Sequence, residues 1–273
     1  MSSVAVAPFT TIDGPVPQAP RHHLFTVAES VERRWRGGVG VWAFPPDLPS
    51  GDDPCASGTF DTKDGGAEYE NPNFSAFTAY LPVVCSAFIN DFAELRRRAD
   101  IVLDATDHHA AEEQLVAGAY ADGAFLGDVN AEILGSGTAQ IPWAAISYLD
   151  NAIGETGREG VIHIDPATAD SFWGAYEVPN GEVLRTVRGT PVIVGTGYIG
   201  VRPLGGAAPG DGESWAFASG PVFAARGGLV RLSEDPAAVL DRDDNTVVYR
   251  AERDILVGWD GQLQAAVLVD WNP

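Results

Sequence analysis

The sequence predicts an α+β chain that reaches well beyond its own body. Three observations predict it. Two strand-like runs flank a loop of about thirty turn-favouring residues, PPDLPSGDDPCASGTFDTKDGGAEYENPN. One long amphipathic helix follows, from Asn90 to Ala119. The segment 214–273 then returns almost entirely in strand-like runs.

Residues 1–38 read as an extended arm, rich in Pro and small side chains, with a short helix at Ala28 to Arg36. The arm lacks the basic and apolar blocks of a signal peptide. Gly40 to Phe44 and Phe74 to Val84 are the two strands around the loop, and Pro82 marks an edge or an end. A structureless loop of this length is unusual inside a compact domain. An arm lying on a neighbouring subunit escapes that objection. The helix carries Phe92, Leu95, Ala99, Val102, Leu103, Thr106, Ala110, Ala117 and Tyr120 at spacings of mostly three and four. Asn90 is placed to cap its start and Gly118 its end.

Shorter elements follow. Pro142 opens a helix that Gly154 closes. Val161 to Ile164 is a buried strand. Asp165 and Pro166 start a helix running through Tyr176. Glu182 to Val187 and Pro191 to Val194 form a hairpin, and residues 203–213 a loop. Strands are expected at Ser214 to Ala225, Leu229 to Leu232, Thr246 to Trp259 and Gln262 to Trp271.

Composition excludes several functions. The net charge is −21 over 273 residues, and the longest unbroken run of Lys or Arg is Arg96, Arg97 and Arg98. Tight binding to phosphates is disfavoured, although an acidic wall can still contain nucleic acid without gripping it. No apolar run approaches the length of a membrane span. Cys55 and Cys85 are too few for a disulfide framework or a structural zinc site. The phosphate-loop, Rossmann and serine-hydrolase motifs are missing. Lys63 is the single lysine. High-GC codon bias accounts for the arginines elsewhere. It leaves the question of what arginine cannot do at position 63, and acting as a nucleophile is one answer.

The order of parts resembles the major capsid proteins of tailed bacteriophages, the Hong Kong 97 fold. The resemblance covers nearly the whole chain. Its most specific stretch is DRDDNTVVYRAERDILVGWD at 241–260, supported by GVIHIDPATADSFW and LRTVRGTPVIVGTGY. It implies an N-terminal arm at 1–38, an extended hairpin loop at 39–85, a spine helix at 86–120, an axial α/β domain at 121–213 and a β-rich peripheral return at 214–273. It further implies a shell of pentamers and hexamers around double-stranded DNA, bound without specificity. The expected partners are other copies, a separate scaffolding protein, a portal and decoration proteins. The expected location is the virion, after assembly in the bacterial cytoplasm. No enzyme turnover, cofactor, metal or membrane is expected.

In some members of that family a loop lysine attacks an asparagine of a neighbour, with a glutamate relaying protons. Lys63, Asn245 and Glu252 occupy the matching positions. Close confinement can be worth an effective molarity of about 10⁵ M or more, and a carboxylate can take the amine's proton and pass it to departing ammonia. Seven residues separate Asn245 from Glu252, which on one ideal strand puts them on opposite faces. A bulge, a strand that starts after Asn245, or service to another subunit's bond resolves this. The plain alternative makes Asn245 a turn residue and pairs Glu252 with Arg250 or Arg253. Three other functional readings stand beside this one. One is a nanocompartment shell of the same fold, and another a head or tail accessory protein. The third is a metal enzyme centred on His108 and His109, where His109 and Glu113 sit four residues apart on the helix. An ordinary surface pair explains that spacing equally.

Overall fold

A computed structural model describes residues 15–31, 35–41, 72–86, 92–172, 176–177, 183–231, 240–241 and 246–272. In chain order, the first strands are β1 (Glu29–Ser30), β2 (Val39–Gly40), β3 (Asn73–Phe74) and β4 (Phe77–Ser86). The spine helix α1 (Phe92–Ala117) follows, then β5 (Glu132–Ile133), α2 (Pro142–Glu155), β6 (Val161–Ile164) and α3 (Pro166–Ser171). The chain continues through β7 (Tyr176–Glu177), β8 (Leu184–Thr186), β9 (Pro191–Val194), β10 (Glu213–Ser219) and β11 (Val222–Arg226). It ends with β12 (Val230–Arg231), β13 (Leu240–Asp241), β14 (Thr246–Trp259) and β15 (Gln264–Asp270).

These strands make two main sheets. The first is organised by β14, whose 14 residues pair with β4 along one side and with β13, β12 and β11 in turn along the other. Its alternation is strict in the middle: Tyr249, Ala251, Arg253 and Ile255 are buried, while Arg250, Glu252 and Asp254 are not. Pro82 removes a backbone donor, and it sits where that loss is tolerated. Strand β4 pairs only with β14 among the described residues, so Pro82 lies on an edge strand.

The second sheet runs β5-β15-β10-β6-β9-β8-β7. Helix α2 covers it, with Ala145, Ile146, Leu149, Ala152 and Ile153 buried among Ala216, Ala218, Ala265, Val267 and Val269. Pro142 opens α2 as its spacing predicts. Asp165 caps α3 by accepting from Thr168 N at 2.7 Å. The C-terminal return is therefore divided: β10 and β15 pair into the second sheet, β11 to β14 into the first.

The strand expected at Phe74 to Val84 meets the loop's other strand only at Asn73–Phe74. Its remainder, Phe77–Ser86, joins β14 in the body because that long strand offers it a full ladder. Three further expectations are corrected. The short helix expected at Ala28 to Arg36 is replaced at Glu29–Ser30 by β1, parallel to Phe223 and Ala224. An isolated helix of nine residues is marginal, and the open edge of β11 offers the backbone better partners; residues 32–34 lie outside the described residues. Helix α3 stops at Ser171 rather than Tyr176, because Phe172 is buried and Tyr176–Glu177 pairs with β8. The third correction concerns α1. Leu95, Ala99 and Leu103 are buried as expected, but Thr106, Ala117 and Tyr120 are exposed. Beyond Leu103 the inward face carries Asp107, His108, Ala111, Glu112, Leu115 and Val116. Gly118 ends the helix with φ 61°, a conformation glycine adopts without a Cβ clash.

Candidate functional site

Of the expected crosslinking trio, Glu252 is described, whereas Lys63 and Asn245 lie outside the described residues. Glu252 sits opposite Tyr80 of β4 and Val230 of β12. It points to the outward face of the sheet and forms an ion pair with Arg250. Of the two arginines weighed from sequence, Arg250 is the partner. Arg253 points the other way, into the body. The Arg250 guanidinium also lies 5.2 Å over the Tyr80 ring. Beside them Thr78 Oγ1 donates to Asp254 Oδ1 at 3.0 Å. The Glu252 side chain, 13% exposed beside its counter-ion, is thus held on a strand paired on both sides, with β4 and with β12.

The inward face of α1 has different chemistry. Asp107 Oδ2 accepts from Arg253 Nη1 at 2.5 Å and from Arg226 Nη2 at 2.7 Å. Asp104 Oδ1 joins both arginines from the rim, at 2.9 and 3.1 Å. Arg253 and Asp107 are both buried, so their charges depend on each other rather than on water. The cluster ties α1 to β11 and β14.

One turn further along, Glu112 ties α1 to two more elements. Its carboxylate accepts from Leu24 N at 3.2 Å and from Gly197 N at 3.1 Å. Burial pushes its pKa up to about 7, against the pull of those two donors. The turn Thr196–Tyr198 can come this close because it carries glycine. A Cβ at Gly197 would stand 2.5 Å from Glu112 Cβ and 2.6 Å from the His109 carbonyl oxygen. Gly197→Ala is expected to lower stability by about 1–3 kcal/mol through overpacking. Thermal unfolding should show it as a drop of roughly 2–10 °C. Behind this turn, His163 is fully buried between Tyr198 Oη at 3.1 Å and Ser219 Oγ at 2.8 Å. Ser219 donates its own proton to the Gly220 carbonyl. Hence His163 donates through Nε2 and accepts from Tyr198 through Nδ1. Burial pushes its pKa down to about 3, so it stays neutral.

The HHAAEE run thus has two faces. His109 and Glu113 form the surface pair, Nε2 to Oε1 at 3.5 Å, and His109 Nδ1 faces Thr196 Oγ1 at 2.9 Å. Glu113 also accepts from the Tyr120 hydroxyl. No group of three metal-ligating side chains occurs among the described residues. His108 and Glu112 share the same i,i+4 spacing but point inward. Sequence reasoning weighed His108 only as part of a metal site and passed over Glu112, and their repeat on the inner stripe was the signal available.

No protein-family model matches this chain, and no curated protein matches it in sequence. Solved structures do. The capsid of a native GTA particle is 13% identical, over 97% of this chain and 95% of that one, with a TM-score of 0.59. A chain of Gordonia phage Cozz is 14% identical over 97% and 91%, with a TM-score of 0.55. A chain of the holo-SrpI encapsulin complex from Synechococcus elongatus is 12% identical over 97% and 94%, with a TM-score of 0.54. The chain has the α+β fold of tailed-phage capsid proteins, and an encapsulin shares it. The likeness runs almost from end to end of each partner, so it concerns the whole fold rather than one shared motif.

Proposed function

We propose that this chain is the major capsid protein of a tailed phage, a shell subunit with no turnover chemistry. The end-to-end likeness to capsid chains carries this reading. In the Hong Kong 97 layout, residues 1–38 are the arm and α1 the spine; the hairpin, expected at 39–85, lies within 39–76, because Phe77–Ser86 pairs with β14 in the body. The axial unit is the second sheet with α2 and α3, extended from 121–213 to include β10 and β15. The first sheet with α1 is the peripheral unit. Copies meet as pentamers and hexamers through the axial units, around double-stranded DNA that the acidic wall does not grip. A separate scaffolding protein guides assembly, and portal and decoration proteins complete the virion.

Exposed apolar residues support the self-association. Ile141 just before α2, and Trp143 and Tyr148 in its first half, are 55%, 61% and 43% exposed. Buried Trp and Tyr anchors often dominate interfaces. The test is co-expression with the scaffold, followed by electron microscopy. The native chain is expected to give closed shells. Trp143→Asp should cut particle yield at least roughly 10-fold, the loss of one such anchor, while circular dichroism and melting stay as in the native chain. Native chain that remains monomeric with its scaffold overturns the reading.

Under the same reading Lys63, Asn245 and Glu252 form an intersubunit isopeptide bond. The neutral Lys63 amine adds to the Asn245 side-chain carbon. Glu252 takes the proton and returns it to the departing nitrogen, and ammonia leaves as the new C–N bond forms. The encapsulin likeness supports a second reading, a nanocompartment shell. Particles purified from cells separate the two: phage heads carry DNA, and a nanocompartment carries protein cargo.

A further inference from the structure

The arm segment 22–30 reaches the body at three points. The His22 carbonyl accepts from Val194 N at 2.8 Å. Leu24 is completely buried in the larger core, with its N–H on Glu112. Glu29 and Ser30 pair with β11. Between these points the contact is between rings. The His23 ring lies 4.8 Å from the His108 ring, tilted by 46°. Phe25 meets His23 edge-on at 5.9 Å, and the Arg226 guanidinium sits 4.7 Å over Phe25. One arm histidine therefore faces one spine histidine, with a fixed positive charge beside them. Two imidazolium ions at that separation would repel strongly, because the site is too sheltered for water to screen them well.

We propose that His23 and His108 form an acid-released clasp that fastens the N-terminal arm to the spine helix. Both rings are neutral in the clasp. Protonation at mild acidity sets like charges about one ring-width apart, at the 4.8 Å centroid separation, and frees the arm.

The surrounding charges leave this reading intact. From α1, Asp107 is the anion closest in sequence to His108, but Arg226 of β11 and Arg253 of β14 already hold it, together with Asp104. His109 adds a second basic ring on α1, and Glu113 is engaged with His109 and Tyr120. On the arm stand Arg21, His22 and Glu29. Tyr198 of the neighbouring turn stays protonated, because burial pushes its pKa well up. Burial, followed by the nearby His23, holds His108 down to about 4. Burial and then Arg226 lower His23, and burial and then Arg21 lower His22.

The signs follow from linkage. A histidine lowered in the clasped state contributes fully above its ordinary value of about 6.5. That contribution is lost as pH falls toward about 4. Glu112 acts in the opposite sense. Its pKa is about 7 when clasped and returns to the ordinary carboxylate range once the arm leaves. Acid therefore favours the clasp through Glu112, and this effect levels off below about 4.3. His108 and Glu112 act in opposite senses by similar amounts, and the lowering of His23 and His22 adds to release, which tips the balance at mildly acidic pH.

Hydrogen–deuterium exchange on the full chain tests this. The reporters are the amides of Thr26, Val27, Ala28 and Val31, which donate to His23, Leu24, Leu24 and Ala224 carbonyls. Rates are corrected for intrinsic pH dependence and compared with the amides of β10. Between pH 7.5 and 4.5 the arm amides should lose at least 10-fold in protection while β10 keeps its own. His23→Phe with His108→Phe keeps the rings and should abolish the loss. Glu112→Gln should move release to higher pH. Arm protection that ignores pH in the native chain overturns the proposal, as does pH dependence that survives in the double variant. If the double variant does not fold, titration of the native His108 ring by NMR decides. A pKa near 4 with arm release in the same range supports the clasp, and an ordinary pKa near 6.5 overturns it.

Discussion

Asp107→Ala is expected to unfold the chain or to lower its melting temperature by roughly 10 °C or more. Asp107 is 1% exposed at its side chain and Arg253 8%. Removing the carboxylate leaves a buried guanidinium with only the rim residue Asp104 to answer it. Breaking a buried pair from one side costs about 3–5 kcal/mol, and each kcal/mol shifts a domain of this size by about 2–4 °C. Asp104→Ala is the control. Its side chain is 61% exposed, so its loss should cost about 1 kcal/mol or less. Thermal unfolding by circular dichroism measures both. Pairing Asp107→Leu with Arg253→Met should recover most of the loss, because apolar groups of similar size can replace a buried pair. Equal melting temperatures for Asp107→Ala and Asp104→Ala would show that the cluster does not hold α1 to the sheet.

The same cluster shows how far the sequence could be read. The position of α1, its glycine stop and its first buried turns follow from spacing and capping. Its later face does not. Burial there is decided by Arg226 and Arg253, more than a hundred residues away, and apolar periodicity is blind to a polar residue whose partner is that distant. The His109–Glu113 pair was legible because it is local. Of the inward residues, Glu112 depends on Leu24 and Gly197 and His108 on His23, which only the fold brings near. The strands β10 and β15 were legible as strands. Their sheet was not, because a continuous apolar run fits any position covered on both faces. Strand β14 was easier. Its alternation and the edge proline opposite it leave one consistent arrangement. Glu252 was singled out through the family resemblance rather than through its surroundings, and Arg250 was one of two partners weighed for it.

Lys63→Arg is expected to return every subunit of mature shells to the monomer position on a denaturing gel, while the native shells run as ladders or fail to enter. The guanidinium keeps the charge and length of the side chain but stays protonated, so it cannot attack. Electron microscopy of the same particles must show normal shells, which separates lost chemistry from failed assembly. Asn245→Asp should have the same effect, because a carboxylate resists attack by an amine. Glu252→Gln should slow bond formation by about 10²–10⁴, the usual contribution of a positioned acid–base group. Glu252 faces outward on β14, where a neighbour's hairpin could lie over it, and Arg250 holds it as an ion pair. That ion pair makes a sharper demand. At Oε1 the incoming amine must compete with that guanidinium for the carboxylate. Arg250→Met removes the competitor, so the bond should form at least as fast as in the native shell. A shell that crosslinks normally with Gln at position 252 would leave Glu252 as no more than the partner of Arg250, and the bond would need another proton carrier.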